Sequence, residues 1–259
     1  MNAHASSEPR RVHLSFVAPA FNEAENLPAL VREVAAAAQA VGRPWEFIVV
    51  DDHSDDETLN LLRGLMAALP QLRAVSLRRR SGQTAALEAG LRHATGQFIA
   101  TMDADLQNDP QEIPRMLELV VSGRCDMVNG WRKDRRDPWL RRVSTKVANG
   151  VRNRLTRESI HDSACGLKVF RREVAESLKL FNGLHRFLPT LARMNGFVVV
   201  EIPVHHRPRV AGKAKYGVWN RLFKALRDTF AVRWMQRRNL RYEATELERN
   251  DAQGTSQQA

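Results

Sequence analysis

A chain of 259 residues with 43% hydrophobic and 27% charged side chains is long enough to bury a sizeable core and too apolar for a disordered or fibrous class. Its net charge of +11 is unevenly spread, with 10 basic and 2 acidic residues over 131–157 and 11 basic and 1 acidic over 205–241, so the basic excess belongs to the C-terminal half and the rest is mildly acidic. The polar first ten residues lack the apolar stretch of a signal peptide, no run reaches the ~18 apolar residues of a spanning helix, and Cys125 and Cys165 allow at most one bridge, so the expected location is cytoplasmic.

Residues 1–11 are an expected flexible N-terminus. From residue 12, short apolar runs alternate with longer amphipathic ones: a strand over 13–18, a helix over 23–41, a strand over 46–50, a helix over 55–69, a strand over 72–77, a helix over 83–94, a strand over 97–102, a helix over 110–121 and a strand over 126–130. Asn22, Ser54 and Asp109 have the chemistry of helix N-caps, and Pro110 suits a first helical position. Strict alternation of strand and helix predicts an α/β fold with a mostly parallel central sheet and helices on both faces. Ligands of such sheets bind at the carboxyl ends of the strands. After Trp131 the pattern changes to basic helices, a strand near 166–170, a helix near 184–194 and a strand near 197–204. A basic amphipathic helix follows over 218–242, and 243–259 is a polar tail read as disordered.

Three acidic features fall at predicted strand ends: Asn22-Glu23, Asp51-Asp52 and Asp103-Ala104-Asp105. An isolated Asp-x-Asp is most often a solvated turn before a helix. Three acidic strand ends sharing one crevice instead suit a hard divalent cation, because Mg²⁺ or Mn²⁺ is bound through one or two carboxylates together with substrate phosphates. Gln107 and Asn108 offer further polar contacts. Asp55, Asp56 and Glu57 are accounted for by the dipole of a helix start, whereas Asp51 and Asp52 precede it and have the placement of carboxylates that accept from a base edge or ribose hydroxyl. Arg78, Arg79 and Arg80 either touch donor phosphates or form a solvated loop. His205 and His206 are adjacent on a strand and point to opposite faces, which argues against a metal pair.

In the basic half, Trp131, Trp139, Trp219 and Trp234 lie among the arginines and lysines, a mixture suited to an anionic membrane interface. On a helix beginning at 218, Trp219, Leu222, Phe223, Leu226, Phe230 and Trp234 share one side, with Arg221, Lys224, Arg227 and Arg237 elsewhere. Such a stripe either packs on its own domain or lies in a membrane surface.

The motifs Phe16-Val17-Ala18-Pro19-Ala20-Phe21-Asn22-Glu23, Val49-Val50-Asp51-Asp52-His53-Ser54, Arg79 to Gly82, Met102-Asp103-Ala104-Asp105-Leu106-Gln107-Asn108-Asp109-Pro110, Asp162-Ser163-Ala164-Cys165-Gly166-Leu167-Lys168-Val169-Phe170 and His205-His206-Arg207-Pro208-Arg209 to Ala214-Lys215-Tyr216-Gly217 stand in one order. Together they resemble the family 2 glycosyltransferases, most nearly the polyprenyl-phosphate (dolichol-phosphate mannosyltransferase-like) branch, over about residues 12–240. The resemblance implies a GT-A fold over 12–217, a nucleotide-diphosphate sugar in the crevice, and Mg²⁺ or Mn²⁺ on Asp103, Asp105 and Gln107. Pro19, Glu23 and Asp51 match the family's nucleotide-contacting positions, Asp52 and Arg79 are the further candidates for the nucleotide sugar from the reading above, and Arg132, Arg207, Arg209 and Lys215 match the side that handles the acceptor phosphate. His53 departs from the family's usual Gly, and Ala214 from the usual Ser before Lys-Tyr. Many relatives also carry C-terminal membrane spans.

The expected activity is therefore inverting transfer of a sugar to a polyprenyl phosphate by an enzyme lying on the cytosolic face of a membrane, with an integral membrane protein as a candidate partner. A phosphate acceptor is already anionic and needs no general base. The alternative is a sugar or protein hydroxyl acceptor, for which Asp162 is the candidate base. A nucleic-acid partner is not expected, since an acidic crevice repels a phosphate backbone and no zinc-finger, homeodomain or RNP pattern is present.

Overall fold

The computed structural model is described for residues 12–133, 150, 153–156, 158–208 and 218–240. Seven strands, β1 (Leu14–Ala20), β2 (Trp45–Asp51), β3 (Leu72–Ser76), β4 (Phe98–Thr101), β5 (Met127–Trp131), β6 (Lys168–Arg171) and β7 (Val199–Pro203), form one sheet in the order β3-β2-β1-β4-β6-β5-β7. Every pairing is parallel except those of β6, which runs antiparallel between β4 and β5.

Helices α1 (Leu27–Val41), α2 (Thr58–Ala68) and α4 (Ile113–Val121) cover one face, where Leu30, Val34, Leu62, Met116 and Val120 meet Phe16, Phe47 and Val49. Helix α3 (Gln83–His93) and the helices Arg172–Ser177 and Leu188–Met194 cover the other, where Leu87, Val174 and Leu188 meet Val17, Ile48 and Phe170. Burial on both faces is why the strands read as nearly continuous apolar runs. Gly90 lets α3 lie directly on β1, since a Cβ there would stand 2.4 Å from Val17 Cγ1.

The chain winds outward from β1 to β3 and returns on the other side of β1 to form β4, which creates a topological switch point between β1 and β4. Register sharpens it. Ala20 pairs with Asp51 and Asp51 with Ser76, so β1, β2 and β3 end level, whereas Thr101 at the end of β4 pairs with Val17. Residues 102–109 fill that step.

Two of the three expected N-caps are absent. Asp109 does accept from Gln111 N (3.1 Å) at the start of a 3-10 turn, but α1 starts after Asn26 and α2 after Glu57, neither with a side-chain cap. Asn22 and Ser54 are used to join two loops instead: Asn22 N donates to Ser54 Oγ (2.9 Å), Asp55 N donates to Asn22 Oδ1 (3.1 Å), and Glu23 N donates to Thr58 Oγ1 (2.9 Å). A cross-loop partner has displaced the local one.

The C-terminal helix Val218–Arg238 packs through buried Asp228, Thr229 and Val232, the last against Leu184, Phe187 and Leu191. Leu226, Phe230 and Trp234 face outward at 39%, 56% and 64% exposure. Phe230 and Trp234 are thus mostly exposed, Leu226 is partly covered, and buried Asp228, Thr229 and Val232 form the seat of the helix. Trp139, Trp219, Leu222, Phe223, Arg209, Ala214 and Lys215 lie outside the described residues or side chains. Among the described residues no helix is long and apolar enough to cross a membrane.

Candidate active site

The crevice floor is the segment after β4. Met102, Ala104 and Leu106 are buried in the core, so the intervening Asp103 and Asp105 face the crevice side. Leu106 reaches the core only by adopting φ +60°, a costly conformation for a bulky residue and one that clusters at functional sites. Asp103 N donates to Asn108 Oδ1 (3.1 Å), and Gln107 N donates to Asp105 Oδ1 (3.2 Å). Gly166 packs beneath: a Cβ there would stand 2.5 Å from Asp103 Oδ2.

Burial and the neighbouring Asp105 push the Asp103 carboxyl up to about 6, against the opposing pull of Arg132 and Lys168. A desolvated, mutually repelling carboxylate pair is a site that a cation would relieve. Among the described residues no group of three His, Cys, Asp or Glu side chains could hold a metal. A cation here would thus rest on Asp103 and Asp105, with Gln107 and substrate oxygens completing its shell, which fits Mg²⁺ or Mn²⁺ better than a closed structural metal site.

Around this floor the expected nucleotide residues do come together, but most are already engaged. Asp52 is buried and grips the β3–α3 loop with both oxygens, accepting from Ser81 N (2.7 Å) and Gly82 N (2.8 Å). Asp51 is buried and accepts from Ser54 N (3.2 Å) and Ser76 Oγ (3.4 Å). Glu23 accepts from Asn26 Nδ2 (2.7 Å) and lies near enough to act on Asp103. Pro19 closes β1. Arg79 is exposed, and the neighbouring Arg80 guanidinium sits 3.9 Å over the Phe21 ring, bridging the first and third loops.

Arg132 and Asp162 form a bidentate pair, with Nε–Oδ2 2.7 Å and Nη2–Oδ1 2.9 Å, the side chains only 10% and 8% exposed. Burial opposes the guanidinium charge, and Asp162 more than restores it, so the pKa of Arg132 is raised. Asp162 is thus engaged on both oxygens as the counter-ion of Arg132. Its neighbour His161 stacks on Trp131 (4.4 Å) and pairs through Nδ1 with Glu201 (2.9 Å). Arg207, expected at the acceptor phosphate, is paired with Glu33 (2.7 Å) and Asp109 (2.8 Å).

Two residues escaped the sequence reading. Gln83, the first residue of α3, donates from Nε2 to Asp103 Oδ1 (2.8 Å); its place directly after Gly82, at the start of the helix expected over 83–94, was the available signal. Lys168 is 2% exposed, donates to Cys165 O, and has its pKa lowered by burial despite the pull of Cys165, Asp103 and Asp162. A lysine inside the apolar strand Leu167-Lys168-Val169-Phe170 was its signal.

The model of the family described as glycosyl transferase family 2 matches residues 15–179. The chain belongs to this family. It is 40% identical over 232 residues to a dodecaprenyl-phosphate galacturonate synthase of Rhizobium johnstonii, covering 87% of this chain and 68% of that protein. In fold, family 2 membership agrees with a likeness to glucosyl-3-phosphoglycerate synthase from Mycobacterium tuberculosis in complex with Mn²⁺, uridine diphosphate and glucosyl-3-phosphoglycerate, at TM-score 0.63 and 19% identity over 87% of this chain and 80% of that one. A mannosyltransferase from Pyrobaculum calidifontis in complex with GDP-Man and Mn²⁺ gives TM-score 0.59 and 22% identity over 87% of this chain and 67% of that one. The family 2 chain thus has the GT-A fold expected from its motifs.

Proposed function

We propose that this family 2 chain transfers a sugar from a nucleoside-diphosphate donor to a polyprenyl phosphate, with inversion at the anomeric carbon. The observation that carries the choice of acceptor is the Arg132–Asp162 pair. A hydroxyl acceptor needs a base, and the one candidate nominated for that work is bound on both oxygens by a guanidinium. A phosphate monoester needs none. The name of the Rhizobium johnstonii relative supports the same acceptor class.

In this reading an acceptor phosphate oxygen bonds to the anomeric carbon in line with the departing group. The bond from that carbon to the diphosphate oxygen breaks, and its electron pair leaves with the nucleoside diphosphate. Asp103, Asp105 and Gln107 would hold a Mg²⁺ or Mn²⁺ ion, which would supply charge compensation for that leaving group. Gln83 fixes one Asp103 oxygen. Asp52, through Ser81 and Gly82, holds the loop that presents Gln83 to it. Arg209 and Lys215 are proposed to hold the acceptor phosphate.

The exposed Leu226, Phe230 and Trp234, with Arg227, Arg233 and Arg237 on the same helix, support a membrane-face location in which the helix lies on an anionic bilayer and crosses nothing. The deciding assay follows label from nucleotide sugars to short polyprenyl phosphates and to free polyprenols, with the anomeric configuration of the product recorded. Transfer to the phosphate with inversion is the expected result. Efficient transfer to alcohols, lost in Asp162→Asn, would replace this reading with the hydroxyl one.

A further inference from the structure

Beyond β7 the chain runs back along the loop that carries the acidic pair. Arg115 Nη2 donates to Pro203 O, and His205 N donates to Glu112 Oε1 (2.9 Å). His206 forms an antiparallel bridge with Asn108, and Arg207 N donates to Gln107 O (3.0 Å). The Arg207 side chain then closes the seam, with Nη1 2.7 Å from Glu33 Oε2 on α1 and Nη2 2.8 Å from Asp109 Oδ1. From the opposite side the same loop is held by Asp103 N on Asn108 Oδ1 and by Gln107 N on Asp105 Oδ1. Between these holds sits Leu106 at φ +60°, a backbone conformation that persists only where its surroundings enforce it.

We propose that Arg207 is a positioning residue for the cation site: it clamps the 107–109 loop to α1 and thereby keeps Asp105 and Gln107 in place beside Asp103, rather than binding the acceptor phosphate. This rests on the cation reading above. Its basis is that two of the guanidinium nitrogens are spent on carboxylates from separate elements while the backbone N–H of the same residue pins Gln107. A planar fork spans two such partners; a lysine ammonium is a single point charge and holds one. At 29% side-chain exposure the ion pairs are partly screened and add little global stability, so their effect is on loop geometry. Outer contacts that orient metal ligands commonly change metal affinity by tenfold or more.

The test uses the full chain and Mn²⁺ alone as probe, followed by loss of the free-ion paramagnetic resonance signal. Alongside it, transfer is measured against Mn²⁺ and against acceptor. Arg207→Gln is expected to raise the Mn²⁺ half-saturation about tenfold, and Arg207→Lys, which keeps one of the two contacts, to raise it by less, each equally in binding and in transfer, while the acceptor KM moves less than about twofold. Glu33→Gln, which removes one prong, shifts it in the same direction by less. A raised acceptor KM with unaltered Mn²⁺ half-saturation overturns the proposal and returns Arg207 to the acceptor. If Arg207→Gln fails to fold, wild-type Mn²⁺ binding in both Arg207→Lys and Glu33→Gln overturns it equally. Absence of Mn²⁺ binding by the unaltered chain removes the cation reading and this inference together, whereas normal binding by the unaltered chain and by Arg207→Gln removes the inference alone.

Discussion

Asp103 meets opposed demands from folding and from chemistry. Its carboxyl, pushed up to about 6 by burial and Asp105, costs the fold stability above pH 6, a cost relieved as pH falls from 6 toward the ordinary carboxyl value. Asp103→Asn should therefore lose transfer by on the order of 100-fold or more, the scale of a several-kcal/mol metal contribution, yet unfold at no lower denaturant concentration than the parent. Near-normal turnover, or a marked fall in stability, would refute that pairing of effects. His53 carries a smaller cost. It occupies φ +60° where the family usually has Gly, and a left-handed non-glycine residue costs roughly 1–2 kcal/mol, partly offset by the extra unfolded-state freedom of glycine. His53→Gly is expected to gain up to about 1 kcal/mol in urea unfolding; a loss would mean that the imidazole makes a compensating contact. At this scale the acid residues of the site were legible because they interrupt apolar strands. Their partners were not: nothing in the spacing of Asp162 and Arg132, or of Arg207 and Glu33, marks them as pairs.

The C-terminal helix and α3 are joined through the 181–187 segment. Gly183 N and His185 Nδ1 both meet Thr84 Oγ1 (2.9 and 2.7 Å) in the first turn of α3, and Gly183 abuts Asp228 of the helix, where a Cβ would come within 2.4 Å of Asp228 Oδ2. His185 is half-buried, and the desolvation this brings, with Arg186 and Lys168 adding to it, lowers its pKa to about 3. The unfolded chain takes up a proton near pH 6.5 while the native one does not until near pH 3. Stability from this residue is thus complete above pH 6.5 and declines by about 1.4 kcal/mol per pH unit below it. Because protonation of Asp103 gives the opposite slope between pH 6 and 4, the decline is read as the difference between parent and His185→Gln in urea unfolding from pH 7 to 4; a difference that does not change with pH would assign the decline to other groups. Elements of this kind were predicted well as strands and helices, but the start of α1 and α2 was not, because Asn22 and Ser54 found partners across two loops in place of their own helix ends.

Along the sequence the charge is polarised between a mildly acidic body and a basic C-terminal half that holds most of the tryptophans. With Leu226, Phe230 and Trp234 facing outward, the C-terminal helix is expected to bind anionic vesicles. At about 1 kcal/mol per basic residue near the surface, joint replacement of Arg227, Arg233 and Arg237 by Gln should weaken co-sedimentation with phosphatidylglycerol vesicles by on the order of 100-fold at low salt. Phe230→Ser with Trp234→Ser should weaken it further without lowering the unfolding midpoint, because neither side chain is in the core. Unchanged binding in both variants would locate the membrane contact elsewhere or nowhere.

By itself, the sequence determined the alternation of strand and helix, the mostly parallel sheet, the crevice at its carboxyl edge and the acidic residues that line it. These follow from local hydrophobic periodicity and from polar residues placed where apolar runs stop. Only tertiary structure decided which charges remain available for chemistry. The pairings Arg132–Asp162, Arg207–Glu33 and Gln83–Asp103 join residues 30, 174 and 20 positions apart, brought together by strand order and register. A residue type states what a side chain can bind, whereas the long-range contact states what it has already bound.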